Sequence, residues 1–475
     1  MKAPSTTSVL LLVAVACHLI SAQAPSPVTT VKTNIRYLDA RPILETLRED
    51  LLPAALRAMT PAERESAWPG WVSRHDSTIR RRLELGDEDS VVNFLLFGTT
   101  FTKVVRATER DLAQLAGQPG GAPGLIIRRI EDLIAGIESP GTSERLQFAR
   151  QIVERKGIDP TTPAGKTEIR RYLNESLMRI STEIASFSER RLNDPSVKLD
   201  ERLTRFRDRG LSSDTSIFVD FAIEQTLQAI KAERLLGAAS IRRVAIVGPG
   251  LDFTDKHDGH DFYPPQTIQP FAVIDSLIRL GLADADQVRM TTFDLSPRIN
   301  HHLEAARQGA RAGGAYVLEL PRTMDPPWTP SLVAYWERLG DRIGVAGEAV
   351  KAVAVPPSAG RVEVRAVRVR PAVVMSIVPQ DLNIVLQRLE PLPADERFDL
   401  IIATNILAYY DVFEQSLALV NVAKMMRPGG MFLTNNGVFE LPTIPMAWVG
   451  DTDVAYMNVP GVGETIDRLF WYRRQ

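Results

Sequence analysis

Hydrophobic and polar positions in the second half of the chain follow two alternating periods. Short apolar runs at 244–247, 288–293 and 398–403 end in turn or polar residues, as buried strands do. Between these runs, apolar residues recur every three or four positions, as in 271–280, a helix that Gly281 ends. The alternation predicts an α/β fold, a doubly wound and mostly parallel sheet covered by helices on both faces.

The same pattern extends over residues 213–475, which we predict to be one α/β domain with an insertion at about 314–370. Its other predicted helices are at about 217–236, 297–311, 332–343 and 411–426. Strands are predicted at 316–320, 362–369 and 431–434, with a closing antiparallel strand at 468–472. The apolar segment 373–378 leads into 379–382, and 427–430 is predicted to be a turn.

Residues 25–212 are predicted to be an all-α domain, and no segment of it carries a chemical motif. Thr60 to Glu63 form a capping box with proline at the first helical position. The run Gly86 to Ser90 predicts a second cap, and therefore a helix break before the apolar residues 91–97. Trp68 and Trp71 are expected in the core rather than in a binding patch. Further helices are predicted at 107–116, 124–137, 143–156, 166–192 and 199–208.

The first 24 residues have the pattern of a signal peptide. Lys2 precedes an apolar run at 9–20, and small residues at 22–24 form a cleavage site. We therefore expect an exported, periplasmic or secreted protein; a lipoprotein processed at Cys17 is the weaker alternative. If the true start lies downstream of Met1, the protein is cytoplasmic instead. A mature N-terminus at Pro25 would support export. No later segment predicts a membrane span.

Composition excludes several classes of function. The net charge is −2, from 56 basic and 58 acidic residues, so an electrostatic nucleic-acid binder is not expected. Cys17 is the only cysteine, and the mature chain would have none. Disulfides, thiolate metal sites and cysteine nucleophiles are thereby excluded.

Four features follow the predicted strands in the order that a nucleotide-type ligand requires. Gly248 and Gly250 come directly after the first strand and allow a ligand to approach bare backbone. Asp294 ends the second strand, where an ionised carboxylate accepts hydrogen bonds from ribose hydroxyls. Asp381 is placed to accept from an adenine amine, and Asn405 follows another buried strand near the reacting end.

This order resembles the class I S-adenosylmethionine-dependent methyltransferases, and within them the chemoreceptor glutamate methyltransferases, the CheR type. The likeness covers about 217–437 and is carried by four segments, 292–296 (TFDLS), 379–382 (PQDL), 398–411 (FDLIIATNILAYYD) and 426–433 (MRPGGMFL). It implies a Rossmann-like fold with S-adenosyl-L-methionine as cofactor, and the insertion lies where that family has a small β-subdomain. The implied cofactor-binding residues are Gly248, Gly250, Asp294, Asp381, Leu382 and Asn405. We add Asp252, Leu295 and Ile406 to the predicted cofactor site.

The same resemblance places Tyr409 and Tyr410 near the transferred methyl group, where they would orient the acceptor as catalytic residues. The alternative is that at least one of them is a core residue packed on the sheet.

The sequence also departs from the family. Ile246 stands where the family has an acidic residue, Asp252 replaces the third glycine, and Thr404 replaces an expected arginine. Asp294 follows Gly250 by 44 residues, against about 20 in a compact nucleotide-binding unit. Nothing in residues 25–212 resembles the receptor-recognising domain of the CheR type, so a receptor substrate is not implied.

The additional length forms a loop, 252–265, rich in acidic residues and histidines. It is interpreted as a polar lid over the amino-acid end of the cofactor, with Asp252 or Asp255 accepting from the ammonium. A divalent-metal site is the alternative, and we predict no metal. Its potential ligands are Asp252, Asp255, His257, Asp258, His260 and Asp261. His301 and His302 are expected to be solvated on a helix surface.

The sequence thus predicts an S-adenosylmethionine-dependent methyltransferase. Its methyl acceptor, a small molecule or a protein side chain, and its oligomeric state are not indicated. Two alternatives remain open: an exported, non-catalytic protein that keeps the fold, and, less favoured, a nicotinamide-dependent Rossmann enzyme.

Overall fold

The computed structural model describes residues 30–107, 111, 124–193, 206, 209–212, 214–238, 240–253, 260–324, 327–346, 351–459 and 463–475. Several predictions fall outside these ranges and stay predictions: the signal peptide at 1–24, most of the helices at 107–116 and 199–208, and the ligand candidates Asp255, His257 and Asp258.

Helices dominate the described part of residues 30–193, preceded by one short strand. The elements are β1 (Val31–Asn34), α1 (Tyr37–Thr46), α2 (Ala54–Arg57), α3 (Pro61–Phe97), α4 (Gly124–Glu138), α5 (Glu144–Arg155) and α6 (Pro163–Asn193). The capping box at the start of α3 is confirmed: the Thr60 side chain accepts from the Glu63 amide, and Glu63 accepts from the Thr60 amide at 2.8 Å.

The predicted helix break at 86–90 is wrong, because α3 is a single helix of 37 residues that includes this segment. Gly86 is buried where the backbone of Leu211 crosses the helix, and a Cβ built there would lie 1.9 Å from the Leu211 carbonyl oxygen. Ser90 donates to the Gly86 carbonyl at 3.2 Å within the helix rather than capping a new one. Glycine here allows a close approach of two segments and does not end a helix.

The second half forms the predicted α/β fold. In chain order its elements are α7 (Ile217–Ala232), β2 (Arg243–Val247), α8 (Gln269–Arg279), β3 (Arg289–Asp294), α9 (Pro297–Arg311), β4 (Tyr316–Thr323), α10 (Pro330–Arg338), β5 (Gly344–Ala346), β6 (Val362–Val369), α11 (Pro371–Met375), β7 (Ile377–Asp381), β8 (Gln387–Glu390), β9 (Phe398–Ile402), α12 (Val412–Met425), β10 (Met426–Thr434), β11 (Met446–Val459) and β12 (Gly463–Arg474).

Seven of these strands form one sheet in the order β11-β12-β10-β9-β2-β3-β7. The strands from β10 to β7 run parallel, whereas β12 is antiparallel to both β10 and β11, which confirms the predicted closing strand. The first strand of this sheet in sequence, β2, is central, and β3 and β7 follow on one side of it. The later strands β9 and β10 lie on the opposite side of β2. This reversal between β2 and β9 is the position where doubly wound sheets bind ligands, at the carboxyl ends of the strands.

The segment 427–430, predicted to be a turn, lies inside β10 instead. Met426 pairs with Phe398 and Met431 with Leu400, so the bulged strand has additional residues between these two pairs. Gly429 has a φ of +78°, and the Arg427 side chain donates to the Asp399 carboxylate on the neighbouring strand. Pairing on both sides of the bulge therefore keeps the Pro-Gly-Gly sequence within the strand.

The predicted insertion contains a sheet of its own. β4, β6 and β5 form a three-stranded antiparallel sheet in the order β4-β6-β5. The helix predicted at 332–343 is shorter than expected and ends at Arg338. The side chain of Arg365 on β6 donates to the carbonyls of Trp336 and Leu339, and this contact fixes the end of α10 against the small sheet.

Residues on the two faces of the seven-stranded sheet belong to two different hydrophobic cores. Val244 and Ile246 pack against α7 and α8, whereas Ala245 and Val247 face α12 and the N-terminal helices. The second core contains Trp68 and Trp71, as expected, together with other side chains of α1 and α3. β1 also pairs with β8. The division of the chain at residue 212 stays a prediction, but α1 and α3 share a core with the sheet.

Within the described ranges, every helix is either too short or too polar to cross a membrane.

Candidate functional site

A cavity of about 960 Å³, partly open to solvent, lies at the carboxyl ends of β2, β3 and β9. Nine of the eleven residues that the sequence predicted for the site line it. They are Gly248, Gly250, Asp294, Leu295, Leu382, Asn405, Ile406, Tyr409 and Tyr410.

Gly248 and Gly250 form a turn with left-handed backbone. Their φ angles are +66° and +74°, a region that side chains disfavour. A Cβ on Gly248 would also lie 2.1 Å from Cδ1 of Ile406, so the side chain of Ile406 packs directly on bare backbone. The Gly248 amide donates to the Phe293 carbonyl at 2.8 Å and joins the turn to β3. Packing within the protein therefore accounts for part of the glycine requirement.

Asp294 ends β3 with its carboxyl group at the cavity wall. Its Oδ1 accepts from the Ser296 amide at 2.7 Å. Burial raises the pKa of this carboxyl to about 7, against the opposing effects of the Ser296 amide and the Arg298 charge. Near neutral pH the group thus exists in both protonation states, and a hydroxyl-bearing ligand that donates to the carboxylate would favour the ionised one.

Asn405 follows β9 in a left-handed conformation, with φ of +57°. Its amide donates to Oδ1 of Asn435 at 2.7 Å, and the Asn435 side chain donates back to Oδ1 of Asn405 at 2.5 Å. This pair joins the ends of β9 and β10 and fixes the backbone that leads to Ile406.

Tyr409 and Tyr410 both line the cavity, and both are mostly buried, with exposed fractions of 8% and 3%. Phe206 packs against Tyr409 at a ring distance of 5.7 Å, and the guanidinium of Arg82 lies 5.9 Å from the Tyr410 ring. Burial raises the pKa of the Tyr410 phenol, so this residue is a hydrogen-bonding group rather than a base at neutral pH. Both tyrosines are thus buried and line the cavity, and their role in orienting an acceptor stays a prediction.

Asp252 and Asp381 do not line the cavity. Asp252 is 1% exposed and accepts from the Tyr263 hydroxyl at 2.7 Å and from Nε2 of Gln266 at 3.2 Å. Asp381 is at the carboxyl end of β7, level with Asp294, but its side chain is half exposed and accepts from Arg80 of α3 at 2.8 Å. Tertiary contacts, which the spacing of residues in the sequence does not show, hold both carboxylates away from the site.

The acidic loop is held by the helical region at its described ends. The Asp261 carboxylate accepts from the amides and hydroxyls of Thr99 and Thr100 at 2.5 to 2.9 Å. The His260 ring contacts the Thr323 hydroxyl at 3.1 Å. Among the described residues, no group of three or more His, Cys, Asp or Glu side chains is arranged to hold a metal ion.

His302 is half-buried rather than solvated on the helix surface, in contrast to the expectation. Its Nε2 lies 2.9 Å from the hydroxyl of Tyr316, and burial lowers the pKa of the imidazole to about 4. Burying a neutral imidazole requires less free energy than burying a charged one. His301 is exposed, as expected.

The sequence did not indicate the residues that close the cavity from the N-terminal side. Leu83 belongs to α3 and Val219 to the first turn of α7. The segment before α7 contributes Leu211, Ser212, Asp214, Thr215 and Ser216. Gln269, Ile384 and Thr404 complete this part of the wall. The only local signal was the serine cap before α7, because the other side chains reach the cavity through tertiary packing.

The described lining carries two carboxylates, Asp214 and Asp294, and no lysine, arginine or histidine. Asp214 accepts from the Ser90 hydroxyl at 3.3 Å and from Nδ2 of Asn93 at 3.1 Å, so α3 orients it. Such a wall attracts a cationic ligand and does not neutralise phosphate groups.

No protein-family model matches the sequence, and no curated protein matches it. Solved structures with partial similarity include a magnesium protoporphyrin IX methyltransferase from Synechocystis PCC 6803 with bound SAM (10% identity, 61% of this chain and 91% of that chain, TM-score 0.24). The glycopeptide N-methyltransferase MtfA complexed with sinefungin is 11% identical (55% and 69%, TM-score 0.19). The CcbJ methyltransferase from Streptomyces caelestis is 12% identical (55% and 95%, TM-score 0.21). At these values the similarities assign neither a function nor a cofactor to this chain.

Proposed function

We propose that this protein binds S-adenosylmethionine in the cavity at the carboxyl edge of its sheet and transfers the methyl group to an acceptor. The observation that carries the proposal is the convergence of Gly248, Asp294, Leu382 and Asn405, which are separated by up to 157 residues in sequence, on one cavity at the strand-order reversal. Ligands of doubly wound folds bind at this position.

The cavity wall fits the parts of this cofactor. The Asp294 carboxylate is an acceptor for the ribose hydroxyls, and Leu295 and Leu382 supply apolar surface for an adenine ring. The sulfonium and the ammonium are positive, which suits a described lining with two carboxylates and no basic side chain. The same charge pattern disfavours the pyrophosphate of a nicotinamide cofactor.

The cofactor would supply an electrophilic methyl group: a bond from the acceptor's nucleophile to the methyl carbon would form as the carbon–sulfur bond breaks, with S-adenosylhomocysteine as the leaving group. The protein contributes orientation and exclusion of water. Tyr409 and Tyr410, buried beside the Asn405 turn, are proposed to orient the acceptor.

The closer likeness to the CheR type is also part of the proposal. It is supported by the four sequence segments and by the three-stranded sheet within residues 316–369, between α9 and β7. The acceptor is not part of this likeness.

A non-catalytic protein with the same fold is the second candidate. The ion pair between Asp381 and Arg80 favours it, because this pair engages the carboxylate that the resemblance assigned to adenine. In that case the cavity would be a remnant without affinity for the cofactor.

Calorimetric titration with S-adenosylhomocysteine separates the two candidates. We expect saturable 1:1 binding by the wild-type protein and at least tenfold weaker binding by Asp294→Ala, which loses the acceptor for the ribose. Absence of binding to folded wild-type protein would refute the proposal. Equal affinity of Asp294→Ala would show that the cofactor does not bind as described.

A further inference from the structure

The amino-acid end of the cofactor needs a partner for its ammonium group, and the family's acidic position does not provide one here. Ile246 occupies that position and is fully buried in the sheet core. Asp252, which the sequence offered as a substitute, is outside the cavity and bonded to Tyr263 and Gln266. A different part of the wall must supply the acceptor.

Gln269, the first residue of α8, lines the cavity and is 2% exposed. Its Nε2 donates to the Thr404 hydroxyl at 3.0 Å. Its Oε1 is buried and has no hydrogen-bond donor among the described residues. A buried carbonyl oxygen without a donor is unfavourable, so a ligand that brings an N–H group to it would be favoured.

Asp220, on the first turn of α7, lies near the Gln269 side chain and is 1% exposed. Burial raises the pKa of its carboxyl well above the usual range, and the Gln269 amide opposes part of that rise. Neither carboxyl oxygen of Asp220 has a hydrogen-bond partner among the described residues. Because the amide nitrogen of Gln269 donates to Thr404, the carbonyl oxygen is the atom left for a ligand.

Asp214 supplies a negative charge to the wall of the same cavity. It is two residues before Ser216, the cap of α7, and Ser216 and Val219 of this helix line the cavity together with Gln269. Arg298 interacts electrostatically with both cavity carboxylates, Asp214 and Asp294, but does not line the cavity. Its guanidinium lies over the rings of Phe148 and Phe253, at 4.1 and 5.0 Å from their centroids.

We propose that the Asp214 carboxylate and Oε1 of Gln269 form a subsite for a protonated amine, and that its occupant is the ammonium of the cofactor's amino-acid end. The inference rests on the proposed function. It assigns to Asp214, a residue outside the segments that carry the family likeness, the recognition of the cationic end of the ligand.

Two ligands that differ only at this end test the assignment. S-Adenosylhomocysteine carries the ammonium, and 5′-methylthioadenosine has the same nucleoside and sulfur without the amino acid. For Asp214→Asn we expect the dissociation constant of S-adenosylhomocysteine to rise about 10- to 100-fold and that of 5′-methylthioadenosine to stay within about twofold. Gln269→Met, which removes the oxygen and keeps the length of the side chain, should give a smaller change of the same kind.

Asp286→Asn is the matched control, since it removes a carboxylate charge at an exposed residue that does not line the cavity. It should leave both dissociation constants unchanged, and thermal melting would confirm that each variant is folded. If Asp214→Asn weakens both ligands equally, or neither, the subsite is refuted while the proposed function stands. If the wild type binds neither ligand, the proposed function itself fails.

Discussion

At the scale of single residues, Asp294 links the stability of the protein to its function. An ordinary aspartate has a pKa of 3.8, whereas burial raises that of Asp294 to about 7. Between these values the folded state holds a proton that the unfolded state has lost. The contribution of this group to the free energy of unfolding therefore decreases as the pH rises from about 4 to about 7, and the loss persists above pH 7.

Asp294→Asn should consequently stabilise the protein at pH 8 and have little effect at pH 4, although it weakens ligand binding. The neutral amide keeps an oxygen for the Ser296 N–H and has no charge to bury. We expect a gain on the order of 1 kcal/mol at pH 8, reduced from the full value because the carboxyl is partly exposed to the cavity. Urea unfolding at the two pH values measures it. The exposed Asp286→Asn is the control, and an equal effect of Asp294→Asn at both pH values would contradict the assigned pKa.

At the scale of elements, the sequence predicted β2, β3 and β9 and the order of the site residues, since these follow from local patterns, whereas β11 was not predicted. Apolar runs and turn residues define β2, β3 and β9, and Asp294 and Asn405 must then lie near Gly248 because parallel strands end at one edge. The positions of Asp252 and Asp381 were not predictable in this way. Arg80 and Tyr263 determine them, and neither contact leaves a local pattern in the sequence.

Helix α5 shows how such long-range contacts shape the site. The guanidinium of Arg145, at its first turn, is buried and donates to the carbonyls of Asp252, Phe253 and Tyr263, on both described sides of the acidic loop. The ring of Phe253 also packs against Phe148 of the same helix at 4.9 Å. The helical region therefore holds the loop next to the glycine turn.

Replacing Arg145 should destabilise the protein strongly. Arg145→Met keeps much of the apolar volume but leaves buried carbonyls without donors, and we expect a loss of about 2–4 kcal/mol in urea unfolding. Arg150→Met on the same helix removes a side chain that pairs with Glu154 at a partly exposed position, and its effect should stay below about 1 kcal/mol. Similar losses in both variants would show that the contact of Arg145 with the loop contributes little.

At the scale of the whole molecule, the helical and α/β halves are more closely joined than the change of pattern near residue 212 indicates. Trp71 of α3 packs edge-on against Phe413 of α12 at 5.8 Å, within the core that covers one face of the sheet. Val31 to Asn34 pair with β8, more than 350 residues later. The hydrophobic period of the sequence shows where helices are followed by alternating strands and helices. The limits of a hydrophobic core depend instead on which helix and sheet faces pack together, and the period does not show this.

Cutting the chain at residue 212 tests this difference. The fragment 213–475 would expose the apolar face around Phe413, which α1 and α3 cover in the intact chain. We expect this fragment to bind a hydrophobic dye and to lack a cooperative thermal transition. Co-expression with residues 25–212 should restore both the transition and the binding of S-adenosylhomocysteine.

The intact protein should unfold in one calorimetric transition that includes the sheet. If fragment 213–475 instead folds cooperatively and binds the ligand alone, the predicted boundary separates two independent domains, and the shared core is an interface between them.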